Sequence, residues 1–229
     1  MTDIAYTRQL GFFDPADHPN AHATVIGLGG IGSFAAVALA KLGLPTLSLI
    51  DFDSVEPHNV PNQFFTTEQV GLPKALAIAD TCESLSDTQV HAVTMSFNDA
   101  VTCDDPYVHT PIIISGLDSM AARMDIWDQV RMKPRTKLYL DARIAGQLMM
   151  IYAVNPMNVD DIDRYERTLH TDAEAVPAPC TERGVIDVGM VIGGLITRLT
   201  RSHYAGDTID AITLLNLDTL QLSKGDWVL

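Results

Sequence analysis

The sequence predicts an α/β domain, a mostly parallel sheet flanked by helices and closed by an antiparallel extension. Three observations predict it. Short apolar runs alternate with longer amphipathic ones, the first run ends in a glycine cluster that opens into a helical pattern, and the tail offers a last strand or hairpin. Residues 23–27 (ATVIG) form the first β-rich run. From Ile31 to Leu42 small and apolar residues continue without a breaker until Gly43, a buried helix with a C-terminal stop. Thr46 to Ile50 is a strand closing on Asp51, and residues 68–85 read as a helix with Ala75, Leu76 and Ala79 on one side. Val90 to Met95 alternates as a strand does, and Pro111 to Ser115 is a fully apolar strand. Ser119 to Val130 is a helix, followed by strands at Lys137–Asp141 and Gln147–Val154.

From Asn155 to Pro179 the chain turns acidic, holds Pro156, Pro177 and Pro179, and loses apolar periodicity. The expectation there is a mobile loop, about 155–180, of a length that is functional or disordered inside a compact domain. Val185 to Leu199 is an apolar helix whose Gly189, Gly193 and Gly194 imply close packing against another element. Ile212–Leu222 is the final strand or hairpin. With no internal repeat and no low-complexity tract, a single domain over 1–229 is expected.

A chain of 229 residues that is 47% hydrophobic and 19% charged can bury a core, which excludes disorder as its dominant state. Fifteen Lys and Arg against 29 Asp and Glu leave a net charge of −14, which repels phosphate backbones and anionic lipid, so neither nucleic acid nor membrane is an expected partner. Cys82, Cys103 and Cys180 lie far apart, with no CxxC pair and no disulfide framework, as suits a reducing compartment. The N-terminus lacks a basic start and an apolar stretch, and the expected location is the cytoplasm.

The sharpest local feature is Gly27-Leu28-Gly29-Gly30-Ile31-Gly32-Ser33 between a strand and a helix. Glycines there permit a tight turn and the close approach of a phosphate or ribose, and the helix start offers free N–H groups to an anion. This makes the fold Rossmann-like, with a nucleotide-binding half at about 20–115. Asp51, about twenty residues on, stands where an acid accepts hydrogen bonds from ribose hydroxyls. Up to that point NAD and ATP fit equally. Asp53, Asn59, Gln63 and Lys74 follow directly, and a lysine with carboxylates suits a triphosphate with Mg2+ better than a dinucleotide.

Six segments in order then resemble the ThiF/MoeB family of the ubiquitin-activating enzyme superfamily. Tyr6-Thr7-Arg8-Gln9-Leu10 is similar to its N-terminal element, Gly27–Ser33 to its GxGGxGS loop, and Asp51–Gln63 to its DxDxVxxxNxxRQ run. Val70-Gly71-Leu72-Pro73-Lys74 is similar to its VGxxK motif, Asp118-Ser119 with Arg123 to its D-[NS]-xxx-R segment, and Cys180–Val185 to its cysteine-containing segment ahead of a late helix. The resemblance implies adenylation of the C-terminal carboxylate of a small ubiquitin-like or sulfur-carrier protein ending in glycine, with ATP and Mg2+. It implies that Gly27, Gly29, Gly30 and Gly32 cradle the nucleotide, Asp51 holds the ribose, Lys74 the phosphates and Asp118 the magnesium. Asp53, Asn59, Asn62 and Gln63 would line the site, and Arg8 would reach into the partner's site of a homodimer.

Two departures from that pattern stand out. Asn62 occupies the place of an arginine, which removes a phosphate donor unless Arg143 or another residue substitutes, and the zinc-binding CxxC pairs are missing, so no structural zinc is expected. The resemblance implies that Cys180 accepts the activated acyl group or takes part in sulfur transfer, and an inert buried thiol fits the residue equally. Asp160-Asp161-Ile162-Asp163 reads as a solvated loop. The alternatives left open are an NAD(P)-dependent oxidoreductase and a catalytically reduced scaffold partner.

Overall fold

A computed structural model describes residues 6–103, 105, 107–170 and 185–226. Strands β1 (His22–Ile26), β2 (Thr46–Ile50), β3 (Gln89–Val93), β4 (Ile112–Ser115), β5 (Leu138–Ala145), β6 (Leu148–Val154), β7 (Ile212–Asn216) and β8 (Gln221–Gly225) form one eight-stranded sheet. The order is β3-β2-β1-β4-β5-β6-β7-β8. The first five strands in that order run parallel, and β5 through β8 pair antiparallel, as the sequence predicts. The helices are α1 (Gly32–Leu42), α2 (Lys74–Leu85), α3 (Phe97–Thr102), α4 (Met120–Val130), α5 (Val159–Glu166) and α6 (Ile186–Ala205).

Because β1 and β4 are buried on both faces, their sequences are near-continuous apolar runs rather than alternating ones. The fully buried polar residue on β1 is Thr24, whose hydroxyl lies 3.2 Å from the Val108 carbonyl and 2.9 Å from Thr110 Oγ1. On one face α1 and α6 cross closely because Gly189 and Gly193 leave room for Phe34. A Cβ at Gly189 would stand 2.4 Å from the Phe34 ring. The Tyr204 hydroxyl fastens the far end of α6 to β1 by bonding both the N–H and the carbonyl of His22 at 2.9 Å. On the other face Trp127, Tyr139 and Tyr165 form a second core between α4, β5 and α5.

The structure corrects the expected loop at 155–180. Residues 159–166 are helix α5, so Asp160, Asp161 and Asp163 are helical rather than loop residues. The Asn158 side chain caps the helix through the Asp160 and Asp161 amides, and carboxylates suit the positive end of the helix dipole. Cys180 lies outside the described residues. The stretch 68–85 is also not one helix: a short 3-10 turn spans Thr67–Gln69, and α2 starts at Lys74 behind Pro73. Among the described residues no helix is long and apolar enough to cross a membrane.

His22 gives the fold an acid-sensitive point. It is partly buried, with Nε2 2.9 Å from Ser48 Oγ. Burial first, then the charges of His91 and Arg135, lower its pKa from 6.5 to about 4. The unfolded chain therefore binds more protons between those values, so stability is complete above about pH 6.5 and falls as pH drops toward 4. That displacement is worth about 3 kcal/mol when fully expressed, and solvent contact of the ring reduces it to about 1–2 kcal/mol. Urea midpoints measured from pH 7 to pH 4.5 are expected to decline less steeply for His22→Gln than for the wild type, and identical slopes would contradict this assignment.

Candidate active site

The carboxyl ends of β2, β1 and β4 lie side by side, and the strand order reverses between β1 and β4. Such a crevice is where open α/β sheets bind ligands. The glycine loop sits there for steric reasons. Gly27 adopts φ +79°, and a Cβ on it would stand 2.8 Å from the Leu117 side chain. A Cβ on Gly32 would fall 1.9 Å from the Gly27 carbonyl oxygen. Gly29 faces the Gln63 side chain and Gly30 the Asn62 carbonyl, so side chains there would fill the cradle. At the head of α1, Ile31 makes no side-chain cap, which leaves the helix start without that competitor for an anion.

Asp51 is buried at the end of β2 and braces this loop. One carboxylate oxygen accepts from the Leu28 amide at 2.6 Å and the other from the Asp53 amide at 2.8 Å. Burial raises its pKa, against the opposing pull of those two amides and of Lys74. The two amides leave spare acceptor capacity on a carboxylate already fixed in direction.

Lys74, the first residue of α2, is largely buried and points back to the same strand end. Its Nζ lies 3.0 Å from Asp53 Oδ2, and its amide donates to the Asp53 carbonyl at 2.9 Å. Asp53 is half-exposed, so the pair holds a cation at the rim of the cradle rather than neutralising it in the core. The segment carrying Asn62 and Gln63 is pinned by Ser33, whose hydroxyl donates to the Gly29 carbonyl at 2.6 Å and accepts from the Phe64 amide at 3.0 Å. Asn62 Oδ1 and Gln63 Oε1 are buried with no hydrogen-bond partner among the described residues. These two side-chain oxygens are acceptors, so what would satisfy them is a hydroxyl or amine donor and not a phosphate. Asn59 serves the turn itself, since its Oδ1 accepts from the Glu56 amide in a reciprocal cap.

Asp118 is exposed on the loop after β4, immediately before Ser119 caps α4. A single exposed carboxylate suits Mg2+, which keeps most of its waters and takes phosphate oxygens as ligands. Among the described residues no three His, Cys, Asp or Glu side chains cluster as a metal site.

Two of the sequence candidates do not join this group. Arg8 is exposed on an N-terminal segment docked at the opposite end of α1, where Gln9 Nε2 donates to the Leu42 carbonyl at 2.7 Å and the Tyr6 ring covers Gly43. Eleven helical residues, about 16 Å, separate it from the glycine loop. Arg143 is committed elsewhere and is no free substitute for the missing arginine. Its Nε donates to Asp141 Oδ2 at 2.7 Å, and its two other nitrogens donate to Thr168 at 3.1 Å. Sequence reasoning missed the bracing role of Ser33 and the buried cluster around Asp141. Ser33 was readable only as the last letter of the glycine motif.

The chain matches the ThiF family over residues 6–222. Curated relatives include ubiquitin-like modifier-activating enzyme 5 of Dictyostelium discoideum, 38% identical over 91 residues that cover 39% of this chain and 23% of the relative. The enzyme of the same name from Aedes aegypti is 34% identical over 115 residues, covering 44% of this chain and 29% of the relative. The chain thus spans under a third of the length of these relatives. Among solved structures, E. coli MccB with ATP superposes with a TM-score of 0.74 at 17% identity, over 99% of this chain and 72% of that one. E. coli tRNA N6-threonylcarbamoyladenosine dehydratase, TcdA, gives 0.63 at 21% identity, over 84% and 89%. These likenesses share the fold.

Proposed function

The chain belongs to the ThiF family, and on that footing we propose that it is an ATP-dependent adenylyltransferase. Its substrate on this reading is the C-terminal carboxylate of a small ubiquitin-like or sulfur-carrier protein. What supports the reading is one coincidence of topology. The glycine cradle at the uncapped head of α1 follows β1, Asp53 with the Lys74 ammonium follows β2, and Asp118 follows β4, and these three strands are neighbours in the sheet.

The chemistry asks little else of the protein. The carrier's carboxylate is ionised at neutral pH and needs no general base. Its oxygen bonds to the α-phosphorus of ATP while the bond from that phosphorus to the β-phosphate oxygen breaks, giving an acyl adenylate and pyrophosphate. Both reactants are anionic, so the protein's part is alignment and the placing of positive charge. The α1 amides and Lys74 supply that charge, and Asp51 keeps the loop in shape through Leu28. Magnesium, when bound, would neutralise phosphate oxygens, and Asp118 is the residue that would hold it. Since Arg8 sits at the end of α1 opposite its own glycine loop, it serves on this reading the site of a second copy in a homodimer.

A second reading, a catalytically reduced partner of an active relative, is favoured by Asn62 and by the engagement of Arg143 within the Asp141 cluster. Isotopic exchange of pyrophosphate into ATP, run with a panel of glycine-terminated carriers, separates the two. Exchange that requires both a carrier and Mg2+ is expected of the enzyme. Exchange absent with every carrier, in a protein that still binds ATP, would favour the reduced partner.

A further inference from the structure

Beneath the Asp118 loop lies a buried charged cluster that the adenylation chemistry above does not use. Asp141 on β5 is fully buried, and its two oxygens take three donors: Arg123 Nη1 on one, Arg143 Nε at 2.7 Å and the Tyr165 hydroxyl at 3.0 Å on the other. Burial, with Tyr139 and Asp141 beside it, keeps the Tyr165 phenol protonated and hence a donor. Two guanidinium groups on one carboxylate leave a net charge of +1. Arg143 is tied down further by Thr168 and by the face of the Tyr152 ring, 4.6 Å from its Cζ. Apolar packing of the same volume often stabilises a fold as well as such a cluster, so stability alone does not account for it.

The place where the cluster acts is Leu117. Arg123, on the second turn of α4, donates through Nη1 to Asp141 and to the Ala142 carbonyl at 3.1 Å, and through Nη2 it reaches back to the Leu117 carbonyl. Leu117 itself packs against Gly27, and the Gly116 amide donates to the Ile26 carbonyl at 2.9 Å. Residues 116–117 are therefore gripped by the glycine loop on one side and by Arg123 on the other, and Asp118 is the next residue.

We propose that Arg123, fixed by Asp141, Arg143 and Tyr165, is a positioning residue that sets Asp118 against the glycine cradle by holding the Leu117 carbonyl. The proposal rests on the adenylation reading for its consequence in the reaction, but the contacts it asserts are those of the protein's own residues. Arg123 needs its planar fork, because one group must serve Asp141 and Leu117 at once.

Arg123→Lys keeps the buried charge and loses the fork, and Tyr165→Phe removes one bond to Asp141 at nearly constant volume. Amide hydrogen exchange on the free protein is the first readout. In Arg123→Lys the amides of residues 116–119 are expected to exchange about tenfold faster while those of α1 keep their protection, with a smaller change in the same direction for Tyr165→Phe. In pyrophosphate exchange, Arg123→Lys is expected to lower kcat about tenfold or more and to raise the Mg2+ requirement, with KM for ATP within about twofold. Unchanged exchange at 116–119 would overturn the proposal, and so would protection lost evenly from α1 and the sheet. Faster exchange at 116–119 with wild-type kcat and Mg2+ requirement would overturn it too. A wild type that shows no pyrophosphate exchange at all would count against the adenylation reading, while amide exchange still decides whether Arg123 holds the loop.

Discussion

Lys74→Met is expected to lower carrier-dependent pyrophosphate exchange about a hundredfold to a thousandfold, with little change in melting temperature. The size follows from removing one fixed cation from a site where negative charge must be stabilised away from bulk water. The small stability effect follows from the partner. Asp53 is half-exposed and regains water when Lys74 is lost, and methionine nearly matches the volume of the lysine stem. A fall of less than about fivefold in a folded variant would remove Lys74 from the phosphate-handling role.

Gly32→Ala is expected to be the most damaging single methyl group in the glycine loop. The added carbon would lie 1.9 Å from the Gly27 carbonyl oxygen and 3.1 Å from Val25 Cγ1. Neither neighbour is free to move, since Gly27 already occupies a left-handed turn against Leu117 and Gly116. The loop must open or α1 must shift off β1, at a cost of about 3 kcal/mol or more and with loss of nucleotide binding. Gly194→Ala is the matched control. It is exposed on α6 with nothing within 4 Å of the added carbon, and the change there is expected to stabilise by about 0.5–1 kcal/mol. Equal urea midpoints for the two variants would refute this account of the loop.

How far the sequence could be read depended on how local each feature is. The β1–α1–β2 unit was legible because glycines punctuate it: Gly27 ends the strand, Gly32 begins the helix and Gly43, at φ +85°, stops it. Lys74 and Asp53 were legible as candidates because one short stretch of chain carries them, and the bridge between Ser54 and Pro73 brings its two ends together. Helix α5 was not, because it is only eight residues long and acids crowd its first turns, so the spacing of Ile162 and Tyr165 that faces the core is easily passed over among them. Its usable cue was Asn158 ahead of those acids, a capping pattern. Six-residue α3 hid in the same way, although Ser96 three residues before Asp99 marks its start.

The cluster around Asp141 was illegible for a different reason. Arg123, Asp141, Arg143 and Tyr165 come from α4, β5 and α5, and only the pairing of β4 with β5 and the packing of α5 bring them together. A sequence pattern reports neighbours along the chain, whereas this contact set is fixed by topology. The same limit applies to Arg143. As a sequence letter it could stand in for the arginine missing at Asn62, but in the fold its donors are already spent on Asp141 and Thr168.

The central claim is that the cradle between β1, β2 and β4 takes a nucleoside triphosphate. Titration calorimetry of the wild type with ATP and Mg2+, set beside the same titration with NADH, tests it most directly. The account predicts saturable heat with ATP that weakens in Lys74→Met, and no saturable heat with NADH. Saturable binding of NADH with none of ATP would contradict it.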